Sequence, residues 1–432
     1  MNGLKLLHDI DFSVNGAYDY IFSAVPSSKR KSTWRLMVIL SGFAFSPSGL
    51  TVGANIGLRM TFCQAVAACF IGNLVLFLVA LVCSMLAHRL GYNSVFLVKK
   101  IFGNTAGNVF SVLIILSMII WIGINGDLFA KTMVSVFPTW SPPIPVTILL
   151  IILFWAFCSF SGWRSLEWTN IILLPGILLF TIYHVIRIGG TMGGFGFVWE
   201  YKPELYLPFS SAIIMIIGNY SVSAMTIPDI CRFAKSKCSV ILCTTIFASF
   251  IMISNICGIL IVQAAKVNSL NYGVVVLGMA VSYFIWVVFC ISSTQNINIY
   301  TSSLAIQNLV HETPLNGNIS HKTAVLLVGG LSAIIGIVDI INYLTEVCFT
   351  LAMAMLSLFG ILLIEILIGK NYKTVEKWIP LLAWLIGSFA GWILWLYGKR
   401  GAWILPLLIS SAIYYILRIS RKCKNERDLE EN

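Results

Sequence analysis

Long apolar blocks separated by short polar connectors run almost the whole length of this chain. Within each block the apolar residues cover every helical face rather than one stripe. A helix that is apolar all round belongs in lipid, where each face meets an apolar solvent. Crossing the hydrocarbon core takes roughly 20 such residues. Blocks of that size predict spans near 35–58, 64–87, 105–137, 143–162, 166–187, 207–231, 237–264, 272–310, 323–338, 340–368, 378–398 and 402–419. The third and eighth are long enough to tilt or to project beyond the bilayer. Residues 89–102 are too polar to cross and read as a short surface helix. The expected fold class is all-α integral membrane, with about twelve transmembrane helices. One membrane domain over 35–419 is flanked by a segment at 1–34 and a tail at 420–432.

Composition agrees. The chain is 58% hydrophobic and only 10% charged, against about 25% charged in soluble domains. The net charge of +11 raises the question of nucleic acid. The Lys and Arg residues are scattered among connectors, however, with no basic stripe and no stacking platform. They read instead as topology. With both termini in the cytoplasm, 21 of the 28 basic residues fall on the inner side and 7 on the outer, as the positive-inside rule requires. The expected location is the inner or plasma membrane. The first 30 or so residues lack a signal-peptide pattern, so the first span is expected to be retained. The eleven Cys form no CxxC or Cys/His cluster and read as small apolar fillers.

Two spans are expected to be interrupted near their middles. The first contains Ser41-Gly42-Phe43-Ala44-Phe45-Ser46-Pro47-Ser48-Gly49, and the sixth runs from Gly218 to Pro228 through Asn219-Tyr220-Ser221. Proline cannot continue a helix and glycine lowers the cost of unwinding. Breaks at matching places, five spans apart, predict inverted repeats around a midplane binding site. Carbonyls freed at a break need a partner, and a cation is a natural one.

Polar side chains on apolar spans are candidates for function. Trp121 and Asn125 lie four apart on one face of span 3. An indole beside an amide suits a flat heteroaromatic solute, one stacking and the other bonding an edge. Asp127 is placed to pair with Lys131, or to serve as a proton relay or ion ligand. Span 8 carries Ser292-Ser293-Thr294-Gln295-Asn296-Ile297-Asn298. Its hydroxyls suit a hard cation, its amides suit a base edge, and some of the run must serve packing, since it winds around two turns. Asp229 and Arg232 read as a local pair. Glu346 and Glu365 receive no role. No HExxH, GxSxG or paired intramembrane Asp supports an enzyme, and no filter motif supports a channel.

The segments Phe45-Ser46-Pro47-Ser48-Gly49-Leu50-Thr51-Val52-Gly53, Phe70-Ile71-Gly72-Asn73, Trp121-Ile122-Gly123, Pro228-Asp229-Ile230-Cys231-Arg232-Phe233 and Ser293-Thr294-Gln295-Asn296 resemble, in that order, the nucleobase–cation symporter-1 family, within it the cytosine permease branch. The resemblance covers about residues 30–420. It implies a LeuT-like fold of five plus five inverted helices and two extra ones, with spans 1 and 6 broken, working by alternating access. It implies solute binding by Trp121, Asn125, Asn219, Tyr220, Ser223, Gln295, Asn296 and Asn298, with Trp121 and Tyr220 stacking on opposite faces. It implies a sodium site at Gly42, Phe43, Phe45, Ser46, Ser293 and Thr294. Met118 stands where cytosine permeases carry Gln. The implied activity is cation-coupled uptake, by Na⁺, of a nucleobase such as cytosine. The alternative is a proton-coupled permease for a purine, uracil, allantoin, a hydantoin or a thiamine-related pyrimidine. The implied partners are the solute, the coupling cation (Na⁺ or H⁺) and the bilayer, with no other cofactor and no nucleic acid. The chain is expected to act as a monomer.

Overall fold

The computed structural model describes residues 20–267, 269–311, 319–368, 378–398, 401 and 403–430. The first part of the expected N-terminal segment and the connectors carrying Lys370, Lys373, Lys377, Lys399 and Arg400 lie outside the described residues. Among the described residues the chain forms seventeen α-helices. The first repeat contains α1 (Thr33–Ala44), α2 (Pro47–Gly57), α3 (Phe62–Leu90), α4 (Ser94–Phe102), α5 (Asn104–Val136), α6 (Ile144–Cys158) and α7 (Trp163–Thr191). After the short α8 (Phe197–Glu200), the second contains α9 (Phe209–Thr226), α10 (Pro228–Cys231), α11 (Lys237–Ala265), α12 (Leu270–Val276), α13 (Ala280–His311), α14 (His321–Ile337) and α15 (Leu344–Ile368). Last come α16 (Trp378–Leu396) and α17 (Leu405–Glu430).

Among the described residues, nine helical segments are long and apolar enough to cross a bilayer. The bent pair α1–α2 makes a tenth, and α14 and the apolar part of α17 are two shorter candidates. The central and peripheral spans differ in burial: 89% of the most apolar window of the α9–α10 span is buried, but only 22% of that in α7. The outward faces remain apolar, with Phe70, Phe157, Ile172, Ile186 and Phe389 each more than half exposed. Water would oppose such a surface, whereas lipid accepts it.

The packing has the symmetry of an inverted repeat. The first span packs on the seventh (α2 on α11), as the sixth packs on the second (α9 on α3). The first packs on the fifth (α1 on α7), as the sixth packs on the tenth (α9 on α15). The third and fourth (α5, α6) pair as the eighth and ninth (α13, α14) do. Adding α16 and α17 completes five plus five plus two. One crossing is close enough to fix composition: a Cβ on Gly53 would collide with the Asn255 backbone carbonyl, and one on Gly258 with that of Leu50. This crossing lets α2 lie backbone to backbone on α11.

Three expectations are corrected. The sixth span is not interrupted at its middle. Residues 209–226 form a continuous α-helix, and Ile227 remains right-handed helical before Pro228 opens the last turn. Gly218 serves packing rather than unwinding, because a Cβ there would strike the Cys348 carbonyl. The eighth block is two helices, since Gly278 turns the chain at φ +66° between α12 and α13. The expected surface helix is α4, most of whose residues are buried. Even Lys99 is buried there, its ammonium donating to the Asn308 carbonyl at 3.3 Å.

Candidate functional site

The break in the first span follows from its sequence. Phe45 and Ser46 are extended, at φ −86°, ψ 91° and φ −124°, ψ 146°. Pro47 imposes this at Ser46, since the residue before proline is pushed out of the helical region. Pro47 then opens α2, where its missing N–H is not needed. Ser46 caps that helix, its Oγ accepting from the Gly49 N–H at 3.4 Å. The two halves meet at 49°.

Side chains from three other spans cover the freed backbone. Tyr220 on α9 donates its hydroxyl to the Ala44 carbonyl at 2.7 Å. Ser254 on α11 donates to Ser46 O at 3.0 Å. Asn255 donates to Gly49 O at 3.0 Å and accepts from Asn73 on α3 at 3.1 Å. Thr294 on α13 donates to Cys290 O at 2.9 Å and lies 3.5 Å from Phe43 O. A Cβ on Gly42 would run into Asn170 Oδ1 and Ser293 Oγ, two atoms that are themselves hydrogen bonded. Of the expected cation ligands, Gly42, Phe43, Ser293 and Thr294 therefore come together where α1 meets α13. The Phe45 ring sits against Phe250 and Trp286, at 6.2 and 5.5 Å between centroids, and Ser46 is engaged by α2 and α11.

Three of the expected solute-binding amides carry buried atoms without a protein partner. Asn125 donates Nδ2 to Trp121 O at 2.8 Å, and its Oδ1 is left over. Asn219 has neither Oδ1 nor Nδ2 paired. Gln295 accepts from Asn298 Nδ2 at 3.3 Å, and its Nε2 is left over. All three residues are at most 5% exposed. Buried polar groups are nearly always bonded, and each orphan costs roughly 1–3 kcal/mol. These sit on α5, α9 and α13, and α2 touches all three helices. Trp121 is buried on α5 one turn before Asn125.

Other expected residues are already engaged. Asn296 faces α6 and α7, accepting from Ser159 Oγ at 3.0 Å and donating to Ser165 Oγ at 3.0 Å and Thr169 Oγ1 at 2.9 Å. Tyr220, besides its bond to Ala44, presents its ring edgewise to Phe43 and Phe247 at 6.4 and 5.8 Å. Ser223 is buried one turn beyond Asn219, and its carbonyl accepts from Ile227 N at 2.8 Å. Asp127 pairs with Lys131 at 2.8 Å, as its spacing suggested, and Lys131 also reaches Asp339 in the α14–α15 connection. That ammonium holds the exposed Asp339 carboxyl below the usual carboxylate range. Asp229 accepts instead from Ser94 N–H and Oγ at 2.7 and 2.8 Å, while Arg232 donates to the Asp229 carbonyl at 3.1 Å and to Tyr20 O at 2.8 Å. Glu365, fully buried, accepts from Tyr414 at 2.7 Å and from Arg418 at 3.3 Å, joining α15 to α17. Sequence reasoning missed Asn170, Ser254 and Asn255. The available signal was a lone polar residue on an otherwise apolar span.

Comparison with known proteins places this geometry. A family described as permeases for cytosine/purines, uracil, thiamine and allantoin matches residues 24–379. The chain belongs to this family. The cytosine permease of Escherichia coli strain K12 is 21% identical over 376 residues, covering 85% of this chain and 87% of that protein. Among solved structures, Mhp1, a nucleobase-cation-symport-1 family transporter in a closed conformation with bromovinylhydantoin bound, has a TM-score of 0.73 at 18% identity. The match covers 90% of this chain and 93% of Mhp1. A Na⁺-coupled sialic acid symporter has a TM-score of 0.68 at 12% identity, covering 93% of each chain. The fold is that of these multi-pass transporters, as the resemblance implied.

Proposed function

We propose that this permease takes up a nucleobase, best cytosine, in symport with Na⁺. The observation that carries this reading is the trio of buried amides with unpaired atoms, Asn125, Asn219 and Gln295. A planar heterocycle stacked on Trp121 offers the ring donors and acceptors these amides lack. The E. coli cytosine permease supports the choice of solute, and the Na⁺-coupled symporter of the same fold supports the choice of ion. Na⁺ binds where α1 meets α13, among the oxygens near Gly42 and Phe43 with Ser293 and Thr294. Binding there steadies the broken span and raises solute affinity, and linkage makes the effect reciprocal. Tyr220, touching both the break and the α9 face, connects the two sites. Both termini are cytoplasmic and the monomer suffices.

The test is uptake of radiolabelled cytosine into proteoliposomes under an imposed Na⁺ or H⁺ gradient, competed by uracil, hypoxanthine, allantoin, hydantoin and hydroxymethylpyrimidine. Saturable accumulation driven by Na⁺ and blocked best by cytosine is expected. Accumulation driven by H⁺ alone, or best competition by another heterocycle, selects the proton-coupled or alternative-substrate reading. Trp121→Ala is expected to abolish uptake with protein still inserted, and normal uptake by it rejects the site.

A further inference from the structure

Ser293 and Asn296 lie three apart on α13 and share the face toward α7. Asn296 is fully satisfied there by Ser165 and Thr169. Asn170, the next residue along α7, is arranged differently. It is fully buried, and its Nδ2 donates to Leu166 O at 2.7 Å within its own helix. That bond turns Oδ1 outward, where it accepts the Ser293 hydroxyl. Gly42, in the last turn of α1 before the break, has room for no side chain because these two oxygens crowd over it. Phe43 O and Thr294 Oγ1, 3.5 Å apart, belong to the neighbouring residues of the same two helices.

We propose that Asn170 Oδ1 is a direct ligand of the coupling cation, an oxygen from α7 that completes a set drawn from α1 and α13. The proposal rests on the cation-coupled reading above. An amide carbonyl, two hydroxyls and backbone carbonyls are hard oxygen donors of the kind a small hard cation takes. None carries a formal charge, so the set suits a monovalent rather than a divalent ion. Asn170 Oδ1 and Ser293 Oγ, now bridged by one hydroxyl proton, are a pair that a cation bridges equally well. A ligand from α7 also ties the fifth span to the break, so that ion occupancy holds three helices together.

The experiment is thermal unfolding of the purified full-length protein in detergent, without solute, titrated with NaCl against choline chloride at constant ionic strength. A ligand that binds only the folded state stabilises it by RT ln(1 + L/Kd), with L its free concentration, so the midpoint rises with the logarithm of that concentration above Kd. Wild type is expected to be stabilised by Na⁺ and not by choline. Asn170→Leu, which keeps the γ-branched shape and removes the oxygen, is expected to need at least about tenfold more Na⁺ for the same shift. Asn170→Asp, which keeps the oxygen and adds charge, is expected to respond at the wild-type concentration or below. An N170L titration matching wild type overturns the assignment while leaving cation coupling intact. Equal weakening in N170L and N170D overturns it too, because the residue then serves packing. A wild-type protein indifferent to Na⁺ removes the coupling reading and the Asn170 ligand with it.

Discussion

Replacing Tyr220 with Phe removes one atom, the hydroxyl that donates to the Ala44 carbonyl at 2.7 Å. The ring and its edge contacts with Phe43 and Phe247 remain. The site is buried, with Tyr220 only 3% exposed, so water does not readily replace the lost donor. Leaving a buried acceptor without its partner costs about 1–3 kcal/mol. That cost falls on the binding-competent conformation, in which the break is properly shaped; with that conformation the minor one before ligand binds, its population and the apparent affinities fall by the full factor. Even the lower figure corresponds to about fivefold, since 1.4 kcal/mol is a factor of ten. Uptake by Tyr220→Phe in proteoliposomes, with cation and cytosine varied independently, is therefore expected to show both half-saturating concentrations raised about fivefold or more. The rate at saturation of both stays near wild type. An unchanged cation dependence refutes the link between Tyr220 and the break. A loss confined to cytosine assigns the side chain to solute contact alone.

Three further outcomes follow from particular contacts. Asn296→Ala strips partners from Ser159, Ser165 and Thr169, so thermal stability drops by about 1–3 kcal/mol while the KM for solute moves less than about twofold; a large KM change puts Asn296 back in the site. Gly53→Ala drives a methyl group into the Asn255 carbonyl, and such overpacking costs about 1–3 kcal/mol, read as reduced recovery of monodisperse protein; full recovery means α2 and α11 separate easily. Asp339 has its folded-state carboxyl pKa below the unfolded value, so its ion pair stabilises above the ordinary value of about 3.9 and that contribution disappears as pH falls below it. Being half exposed at 51%, it is worth at most about 1 kcal/mol; Asp339→Asn should lower stability at pH 7 by no more than that, and the difference should shrink as pH falls below the ordinary carboxylate range.

The spans were legible because twenty apolar residues in a row have few other uses. The break in α1–α2 was legible because Ser46-Pro47 carries both a cap and a helix stop. The sixth span misled for a physical reason: Gly218 permits either unwinding or close packing, and only the position of Cys348 on α15 decides for packing. Residues 89–102 read as surface because of their lysines, yet Lys99 reaches the end of α13. In the 293–298 run, residue types named the chemistry but not the direction. The phase of α13 turns Ser293 and Asn296 to α7 and leaves Gln295 with an unpaired amide. The pairing of Asn170 with Ser293 was invisible because nothing near Asn170 in sequence hints at a partner more than a hundred residues on.

Solute recognition of the proposed kind requires that Asn125, Asn219 and Gln295 be kept unpaired for the solute. Leucine at each position removes both the orphan and the means of reading a base edge. Calorimetric cytosine affinity and solute-free thermal stability, measured on the same purified N125L, N219L and Q295L proteins, separate the two roles. The expected result is affinity lowered by about tenfold or more in each, the cost of at least one lost hydrogen bond to a ligand, with stability equal to or above wild type in N125L and N219L; Q295L also strips Asn298 Nδ2 of its acceptor, so its affinity alone is decisive. Retained affinity together with lowered stability contradicts the account, because the amides then hold the fold and not the solute.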